Sequence, residues 1–276
     1  MQLASTDGVT IELHDLGGSG EPLLICHATG LCGRAYEPLA AELTQCFHLW
    51  AIDFRAHGDA TAPTNGRFDW AGFTDDLEVA VNAISSEPLR AMGHSMGGAA
   101  LALLEDRRPG TLRTAYLYEP VVIPSTDVGA VTNGNAMSQT ALRRRRTFAS
   151  KPEAMYRYAQ RPPLGGLRAD ALAAYVEHGM TTLPDGTAQL KCAPENEAAT
   201  FEAAGKPTFD LARRLSTPIT VGYGSVESEE ILAVVGAKLV GLLPNGRADS
   251  QPLLGHFGPL ENPHLIGQSI LAAMAP

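Results

Sequence analysis

The sequence predicts an α/β fold, with a mainly parallel central sheet flanked by helices and an inserted helical cap. Short apolar runs alternate with amphipathic stretches along most of the chain, and runs such as residues 22–26 and 115–118 show no alternation of apolar with polar residues. Such runs are typical of strands covered on both faces, and intervening helices provide the crossovers of a parallel sheet. Residues 124–213 interrupt this rhythm, which indicates the insertion.

The apolar runs predict the positions of the strands. They lie at residues 9–13, 22–26, 47–53, 89–92, 115–118 and 219–223. The amphipathic stretches predict helices at residues 34–43, 73–84 and 96–104. Active sites in such sheets lie at the carboxyl ends of the strands, so the residues that follow each run are the first candidates for function.

The interruption divides the chain into two predicted parts. Residues 1–123 and 214–276 form the predicted core, and residues 124–213 form a helical cap, because this stretch is rich in proline and glycine breaks and lacks strand runs. Residues 143–146 of the cap are four arginines. Four consecutive residues span most of a helix circumference, so we expect these arginines on a helix to be solvated or paired with carboxylates.

Composition limits the class of protein. Of the 276 residues, 45% are hydrophobic and 18% are charged, which suits a large buried core. The formal net charge of −9 disfavours nucleic acid and anionic membranes as partners, since both need a basic footprint. The start of the chain does not resemble a signal peptide, and no stretch approaches the roughly 18 apolar residues of a membrane span. We expect a cytoplasmic protein with a small-molecule substrate, and a homo-oligomer is left open.

Cysteine usage and motif content bear on cofactors. Cys26, Cys32, Cys46 and Cys192 form no C-x-x-C pair and lack metal-finger spacing, so they are expected to be reduced thiols. The sequence contains no recognisable metal-ligand cluster or phosphate-binding loop. It therefore predicts neither a metal nor another cofactor.

The sharpest local motif is a G-x-S-x-G pattern at residues 93–97. It follows the apolar run that ends at Met92 and precedes a helical pattern. A serine on a sharp strand-to-helix turn has strained backbone angles, and the flanking glycines remove side chains that would clash. The helix that follows presents free N–H groups to a developing oxyanion. Ser95 is therefore the candidate nucleophile.

Four motifs in this order resemble those of the α/β-hydrolase superfamily, in its serine-nucleophile branch with a helical cap. Besides the serine motif, residues 27–30 resemble the H-G-x-x-G oxyanion loop, residues 53–58 the D-x-R-G-H-G turn, and residues 255–257 the segment that carries the base. Ala28 and Ala56 stand where glycine is usual. The resemblance covers nearly the whole chain and implies a triad of serine, histidine and an acid.

A serine hydroxyl is a weak nucleophile at neutral pH and needs a base, which is almost always histidine. Among eight histidines, His256 fits the order of serine, acid and histidine that the resemblance implies. His264 is the competitor, but its place at the start of the last helical segment indicates a surface position. His94 is expected to pack beside the serine, and His27 to brace the oxyanion loop.

Two glutamates compete for the role of the acid that orients the histidine. Glu119 directly follows the predicted strand at residues 115–118, where some branches of the superfamily carry their acid. Glu227 follows the strand at residues 219–223, where many relatives carry an aspartate. A glutamate there requires a shifted backbone because of its extra methylene. We name Glu119 as the acid and keep Glu227 as the alternative.

The resemblance also implies two backbone N–H groups that bind the oxyanion. One belongs to Met96, the residue after the nucleophile. The other lies in the loop after the first parallel strand, at Thr29, with Ala28 as the alternative.

These residues imply hydrolysis of a carboxylic ester or lactone through an acyl-enzyme. A carbon–carbon bond hydrolase, an amidase or a cofactor-free perhydrolase could use the same triad, because one fold hosts many reactions. A hypothesis from another class of function is a ligand-binding module with slow turnover, comparable to some plant hormone receptors of this superfamily.

Overall fold

The structure is a computed structural model that describes residues 1–126, 134–225 and 231–274. Its strands are β1 (Gln2–Ala4), β2 (Thr10–Gly18), β3 (Glu21–Cys26), β4 (Phe47–Asp53), β5 (Leu89–His94), β6 (Leu112–Tyr118), β7 (Thr147–Phe148), β8 (Met180–Thr182), β9 (Ala188–Leu190), β10 (Ile219–Tyr223) and β11 (Gly246–Ser250). Its helices are α1 (Glu37–Ala41), α2 (Trp70–Ile84), α3 (Met96–Arg107), α4 (Ala136–Leu142), α5 (Lys151–Ala159), α6 (Ala169–His178), α7 (Pro194–Glu202), α8 (Phe209–Ala212), α9 (Ile231–Val240), α10 (Gly258–Glu261) and α11 (Pro263–Met274).

The central sheet confirms the predicted fold class. In the described residues it contains eight strands in the order β1-β2-β4-β3-β5-β6-β10-β11. The pairs from β4 to β11 are parallel, whereas β2 pairs antiparallel with both β1 and β4. All six predicted strands are present, and β1 and β11 are additional edge strands. The predicted helix at residues 34–43 is shorter than expected, a 3₁₀ turn at Gly33–Tyr36 followed by α1.

Helices cover both faces of the sheet, which explains the unbroken apolar runs. Leu24 and Cys26 of β3 pack in one core cluster with side chains of α2 and α3. Leu23 and Ile25, on the other face of the same strand, pack in a second cluster with side chains of α1, α6 and α11. All four strand residues are fully buried, as expected for a parallel strand between two helical layers.

The chain between β6 and β10 carries the predicted helices and also a feature that the sequence did not predict. It contains α4 to α8, together with a three-stranded antiparallel sheet in the order β7-β9-β8. These strands have two or three residues each, which is too short to produce a recognisable periodicity. The expectation of a stretch without strands was therefore wrong.

The four arginines at residues 143–146 do not lie on a helix, and that expectation was also wrong. Helix α4 ends at Leu142, immediately before them. Three of them form ion pairs with acids on α5 and α7: Arg144 with Glu197, Arg145 with Glu153, and Arg146 with Glu195. The expected pairing with carboxylates is thus present, but the expected helix is not.

The cysteines are free thiols in very different surroundings. Cys26, Cys32 and Cys192 are buried, whereas Cys46 is exposed in the turn before β4. Burial raises the pKa of each of the three buried thiols, because the thiolate would lose its hydration. None of the helices in the described ranges has the length and apolar character needed to cross a membrane.

A buried ion pair fixes the turn after β4. The Arg55 side chain is fully buried, and its Nε and Nη2 donate to the two carboxylate oxygens of Asp76 on α2, each at 2.9 Å. A second acid, Asp7, accepts from Nη1 at 3.0 Å. Such a pair is costly to break, because removal of one charge leaves the other buried without compensation.

We therefore expect Asp76→Asn to lower the free energy of unfolding by about 3 kcal/mol, since the guanidinium loses its main counter-charge in a buried site. The matched control is Asp75→Asn on the same helix, where Asp75 pairs with Arg107 at the surface. We expect the control to cost less than about 1 kcal/mol. Urea unfolding of both variants measures the difference, and equal effects would contradict a special role for the buried pair.

Candidate active site

Ser95 lies on a sharp turn between β5 and α3. Its φ of 52° and ψ of −111° place it in a strained region for a residue with a side chain. Its backbone N–H donates to Tyr118 O at 2.9 Å, which ties the turn to the end of β6. The two glycines of the motif leave no room for a side chain. A Cβ at Gly93 would lie 2.6 Å from Gly98 Cα, and one at Gly97 would lie 2.2 Å from Cys26 O. Close packing therefore requires the glycines that the sequence motif contains.

The backbone N–H groups of Met96, the first residue of α3, and of Thr29, in the loop after β3, lie near this turn and have no hydrogen-bond partner among the described residues. The neighbouring Ala28 N–H is occupied, because it donates to the Tyr36 hydroxyl at 3.1 Å. Of the two donors that the sequence offered in the loop after β3, Thr29 rather than Ala28 is therefore free.

A carboxylate and an imidazole meet at the ends of β6 and the loop before α10. Glu119 is the residue after β6, is fully buried, and adopts a φ of 42°. Its Oε2 lies 2.7 Å from His256 Nδ1, and its Oε1 accepts from Gly224 N–H at 2.9 Å. A carboxylate only accepts, so Nδ1 carries the proton and Nε2 of a neutral ring holds the lone pair.

The loop that carries His256 is held in place by hydrogen bonds to two of its backbone carbonyls. His94 Nε2 donates to His256 O at 2.7 Å, and the Tyr118 hydroxyl donates to Gly255 O at 2.8 Å. The His256 side chain keeps about 25% of its surface exposed, unlike the fully buried Glu119. The loop is therefore held rigidly while the ring stays accessible from outside.

The fold brings these groups to one edge of the sheet. β5, β6 and β10 are neighbours and run parallel, so their carboxyl ends lie side by side. The rings of His94 and His256 are 5.0 Å apart between centroids, which places the imidazole beside the serine turn. Ser95 as a residue is 5% exposed, and its hydroxyl has no hydrogen-bond partner among the described residues. Its proton is thus not committed to another group.

The competing candidates are placed differently. His264 is exposed and lies 2.9 Å from Glu42 at the surface, as its sequence position indicated. Glu227 lies outside the described residues. Tyr36 and Gly224, which contact the groups above, were not among the sequence candidates, because a lone tyrosine and a glycine carry no motif that points to a site.

His27 and His57 fix the loops on which they stand. His27 Nδ1 bonds Ala28 O at 2.8 Å and its Nε2 accepts from Phe54 N–H at 3.2 Å, so this ring joins the loop after β3 to the turn after β4. His57 Nδ1 bonds Arg55 O at 2.9 Å within that turn. Ala56 adopts a φ of 62°, which explains why glycine is usual at this position.

Burial keeps three histidines uncharged, and this predicts acid sensitivity. Loss of hydration lowers the pKa of His27 to about 3 and of His57 to about 4, and holds the pKa of His94 well below its ordinary value. Unfolded histidine has a pKa of about 6.5, so between pH 6.5 and about 4.5 the unfolded chain binds more protons than the folded one. Stability therefore falls as the pH is lowered through this window.

Each such histidine contributes about 1.4 kcal/mol per pH unit, so the three together give about 4 kcal/mol per pH unit near pH 5. Urea unfolding between pH 7 and pH 4.5 measures this slope. His57→Gln removes one titrating group and should reduce the slope by about a third. A slope that is unchanged in this variant would contradict the burial of a neutral His57.

One group of potential metal ligands occurs in the described residues, at the turn after β4. Ligand atoms of His14, Asp53 and Asp59 lie within 4.8 Å of one another. Asp53 already accepts from His14 Nε2, Gly33 N–H and Asp59 N–H, and Lys191 Nζ bonds Asp59 at 2.6 Å. These contacts link the turn after β4 to β2, to the 3₁₀ turn at Gly33–Tyr36 and to the inserted segment.

The inserted segment packs directly on the loop that carries Thr29. Gly30 has a φ of 79°, and a Cβ there would lie 2.6 Å from Glu197 Oε1 and 3.0 Å from Arg144 Nη1. Arg144 pairs with Glu197 and donates to the Tyr175 hydroxyl at 2.6 Å, and that hydroxyl bonds Gly30 O at 3.3 Å. This buried polar cluster therefore joins α6 and α7 to the loop after β3.

The fold and this arrangement of side chains define the class of protein. Residues 23–266 match the model of the Alpha/beta hydrolase family, and the chain belongs to this family. Among curated proteins it is similar to the non-heme chloroperoxidase CPO-A1 of Kitasatospora aureofaciens, with 35% identity over 124 residues, 43% of this chain and 44% of the relative. It is also 26% identical over 96 residues to the (E)-2-((N-methylformamido)methylene)succinate hydrolase of Acinetobacter baylyi, over 35% of this chain and 36% of the relative. The chain thus matches less than half the length of these relatives.

Solved structures of similar fold match over almost their whole length. The crystal structure of E-2-(acetamidomethylene)succinate hydrolase has a TM-score of 0.81 and 19% identity, over 100% of this chain and 99% of the other. The esterase RhEst1 from Rhodococcus sp. ECU1013 has a TM-score of 0.74 and 21% identity, over 99% and 97%. At these identities the likeness concerns the fold.

Proposed function

We propose that the protein is a serine hydrolase that cleaves a carboxylic ester or lactone through an acyl-enzyme. The proposal depends above all on the 2.7 Å contact between Glu119 Oε2 and His256 Nδ1 beside the strained Ser95 turn. In this arrangement the buried carboxylate orients the ring and stabilises its charged form, while Nε2 is left as the base. Ser95 is the nucleophile, His256 the base and Glu119 the acid.

The acylation step uses the serine hydroxyl and two backbone donors. Ser95 Oγ attacks the carbonyl carbon and His256 Nε2 takes the hydroxyl proton, which gives a tetrahedral intermediate with a negatively charged oxygen. The N–H groups of Met96 and Thr29 bind that oxygen. Collapse of the intermediate breaks the carbon–oxygen bond to the leaving group, which receives the proton from His256 and departs as an alcohol.

Deacylation repeats these steps with water. His256 takes a proton from a water molecule, whose oxygen attacks the acyl carbon and again forms an oxyanion between the two N–H groups. Collapse then breaks the bond to Ser95 Oγ, which regains its proton from His256. The acyl group leaves as a carboxylic acid, and the enzyme returns to its starting state.

The contacts favour Glu119 as the acid and Thr29 as the second donor. One carboxylate oxygen of Glu119 is bound to His256 and the other to Gly224 N–H, so each oxygen has a hydrogen-bond donor. Ala28 N–H is already bound to Tyr36, whereas Thr29 N–H is free. Two free donors at an oxyanion position supply roughly 3 kcal/mol each to the transition state.

We also propose residues 124–213 as the cap of this site. The support is the polar cluster of Arg144, Glu197 and Tyr175, which rests on Gly30 beside the proposed oxyanion donor. Through this contact the inserted segment closes one side of the site and limits the size of the acyl group.

A second candidate reaction is hydrolysis of an amide bond with the same residues. It is favoured by two similar proteins, whose names describe hydrolases of an acetamidomethylene- and an (N-methylformamido)methylene-succinate. The chemistry differs only in the leaving group, because His256 would protonate an amine nitrogen in place of an alcohol oxygen.

The experiment that tests the proposed function is covalent trapping followed by a substrate series. A fluorophosphonate should form one adduct, located on Ser95 by peptide mass spectrometry, with loss of fluoride. Hydrolysis of p-nitrophenyl esters from acetate to decanoate then sizes the acyl site, and matching p-nitroanilides test the amide reaction. An intact protein without an adduct, or an adduct on another residue, would refute the serine mechanism. Labelling without turnover of either series would favour a slow ligand-binding module.

A further inference from the structure

Two buried polar side chains beneath the serine turn take no part in the proposed mechanism. They are Tyr36, at the end of the 3₁₀ turn before α1, and His94, the last residue of β5. Both are fully buried, and their side chains meet with the Tyr36 hydroxyl 2.6 Å from His94 Nδ1. Buried polar groups of this kind are costly unless each donor and acceptor is matched.

The partners of these two residues allow only one direction of hydrogen bonding. His94 Nε2 lies 2.7 Å from His256 O, a carbonyl that can only accept, so Nε2 carries the proton. Burial, and next the neighbouring His256, hold the pKa of His94 well below its ordinary value, so the ring is neutral and Nδ1 has a lone pair. Tyr36 must then donate to Nδ1.

The oxygen of Tyr36 in turn accepts from Ala28 N–H at 3.1 Å. The result is a continuous chain from Ala28 N–H through the Tyr36 hydroxyl to His94 Nδ1, and from His94 Nε2 to His256 O. Its ends are the loop after β3 and the loop before α10. Each bond in a chain polarises the next, so the chain holds both loops more firmly than separate contacts would.

We propose that Tyr36 and His94 are positioning residues that keep the oxyanion donor and the base at a fixed separation. This inference rests on the proposed function, because Ala28 precedes the proposed donor Thr29 and His256 is the proposed base. Catalysis needs the positions of both groups relative to the same reacting carbon to be correct to within a fraction of an ångström. The chain supplies that link between two loops that are far apart in sequence.

The decisive variant is Tyr36→Phe, which removes the hydroxyl and keeps the ring. It leaves Ala28 N–H and His94 Nδ1 without a partner, so both loops can shift. We expect kcat on p-nitrophenyl butyrate to fall by about 10- to 100-fold, with KM changed less than about 2-fold. The affinity for phenylboronic acid, whose adduct with Ser95 is tetrahedral like the transition state, should fall by a similar factor.

The matched control is Tyr116→Phe. Tyr116 is another fully buried tyrosine, and its hydroxyl donates to Asp249 Oδ2 at 2.6 Å, on β11 rather than on the loop after β3 or the loop that carries His256. We expect this variant to lose stability to a similar extent but to keep its kcat and its boronate affinity. If Tyr36→Phe matches Tyr116→Phe in kcat and in boronate affinity, the positioning role is refuted.

His94 is tested by rescue. His94→Gln keeps a donor that can reach His256 O, whereas His94→Leu does not, so we expect the glutamine variant to retain at least 10-fold more kcat than the leucine variant. Equal kcat in both would contradict a role through the His256 carbonyl. If His94→Leu does not fold, a double-mutant cycle replaces this comparison. It measures kcat of His94→Gln, of Tyr36→Phe and of the variant that carries both changes. Residues in one hydrogen-bond chain should show non-additive losses of kcat.

A measurement without substrate separates this inference from the proposed function. Nitrogen NMR of the His94 ring in the wild-type protein should show the neutral Nε2–H form, with an Nδ1 signal that shifts in Tyr36→Phe but not in Tyr116→Phe. A protonated Nδ1 would overturn the direction of the chain whatever the activity. Failure of the proposed function, by contrast, is recognised by the absence of a fluorophosphonate adduct on Ser95.

Discussion

Ser95→Ala is expected to lower kcat for the best p-nitrophenyl ester by about 10⁶-fold, because it removes the hydroxyl of the proposed nucleophile. The residual rate should stay above that of water alone, since the proposed oxyanion donors, the N–H groups of Met96 and Thr29, remain. The measurement is the steady-state rate at saturating ester, with circular dichroism to show that the variant is folded.

Ser216→Ala is a suitable control, because Ser216 is an exposed serine before β10 that is remote from the turn. We expect it to keep the wild-type kcat. A Ser95→Ala variant that retains more than about a hundredth of the wild-type rate would show that another group performs the attack.

Glu119→Gln is expected to lower kcat by about 10⁴-fold while leaving the protein folded. The amide has one oxygen and one NH₂ where the carboxylate has two acceptors. If its oxygen keeps the bond from Gly224 N–H, the NH₂ faces His256 Nδ1 and forces the proton to Nε2, so the base loses its lone pair. If the amide is reversed, Gly224 N–H faces a donor and the charge that stabilises the imidazolium is still lost.

The control for this experiment is Glu227→Gln, which changes the other acid that the sequence offered. We expect kcat within about 3-fold of the wild type. A large loss in Glu227→Gln together with a mild effect of Glu119→Gln would transfer the role to Glu227. Mild effects of both would refute a glutamate as the orienting group.

The topology explains why the sequence left these two acids unresolved. β6 and β10 pair in parallel, so residues that follow them emerge next to each other at the same edge of the sheet. Sequence order is compatible with either acid as the partner of the histidine, and it does not specify which of them reaches Nδ1. The 2.7 Å contact of Glu119 depends on a φ of 42° that no residue pattern reveals.

Other parts of the fold were predictable where burial of an element produces a recognisable pattern of apolar residues in the sequence. The strands β3 to β6 and β10 lie inside the sheet and consist mostly of apolar residues, so the sequence identifies them. β11 reads Gly-Arg-Ala-Asp-Ser, because an edge strand has one neighbour and no need for apolar side chains on both faces. Local sequence patterns do not encode the short strands of the inserted segment or the chain of hydrogen bonds through Tyr36, because both depend on contacts between residues that are distant in sequence.

The uneven exposure of the cysteines has a practical consequence. Cys46 precedes β4, at the amino ends of the parallel strands, whereas Ser95 follows β5 at their carboxyl ends. The other three thiols are buried and hard to ionise, so a maleimide should react at Cys46 alone. Attachment to a solid support through this one sulfur would present every molecule in the same orientation, with the serine turn directed away from the surface.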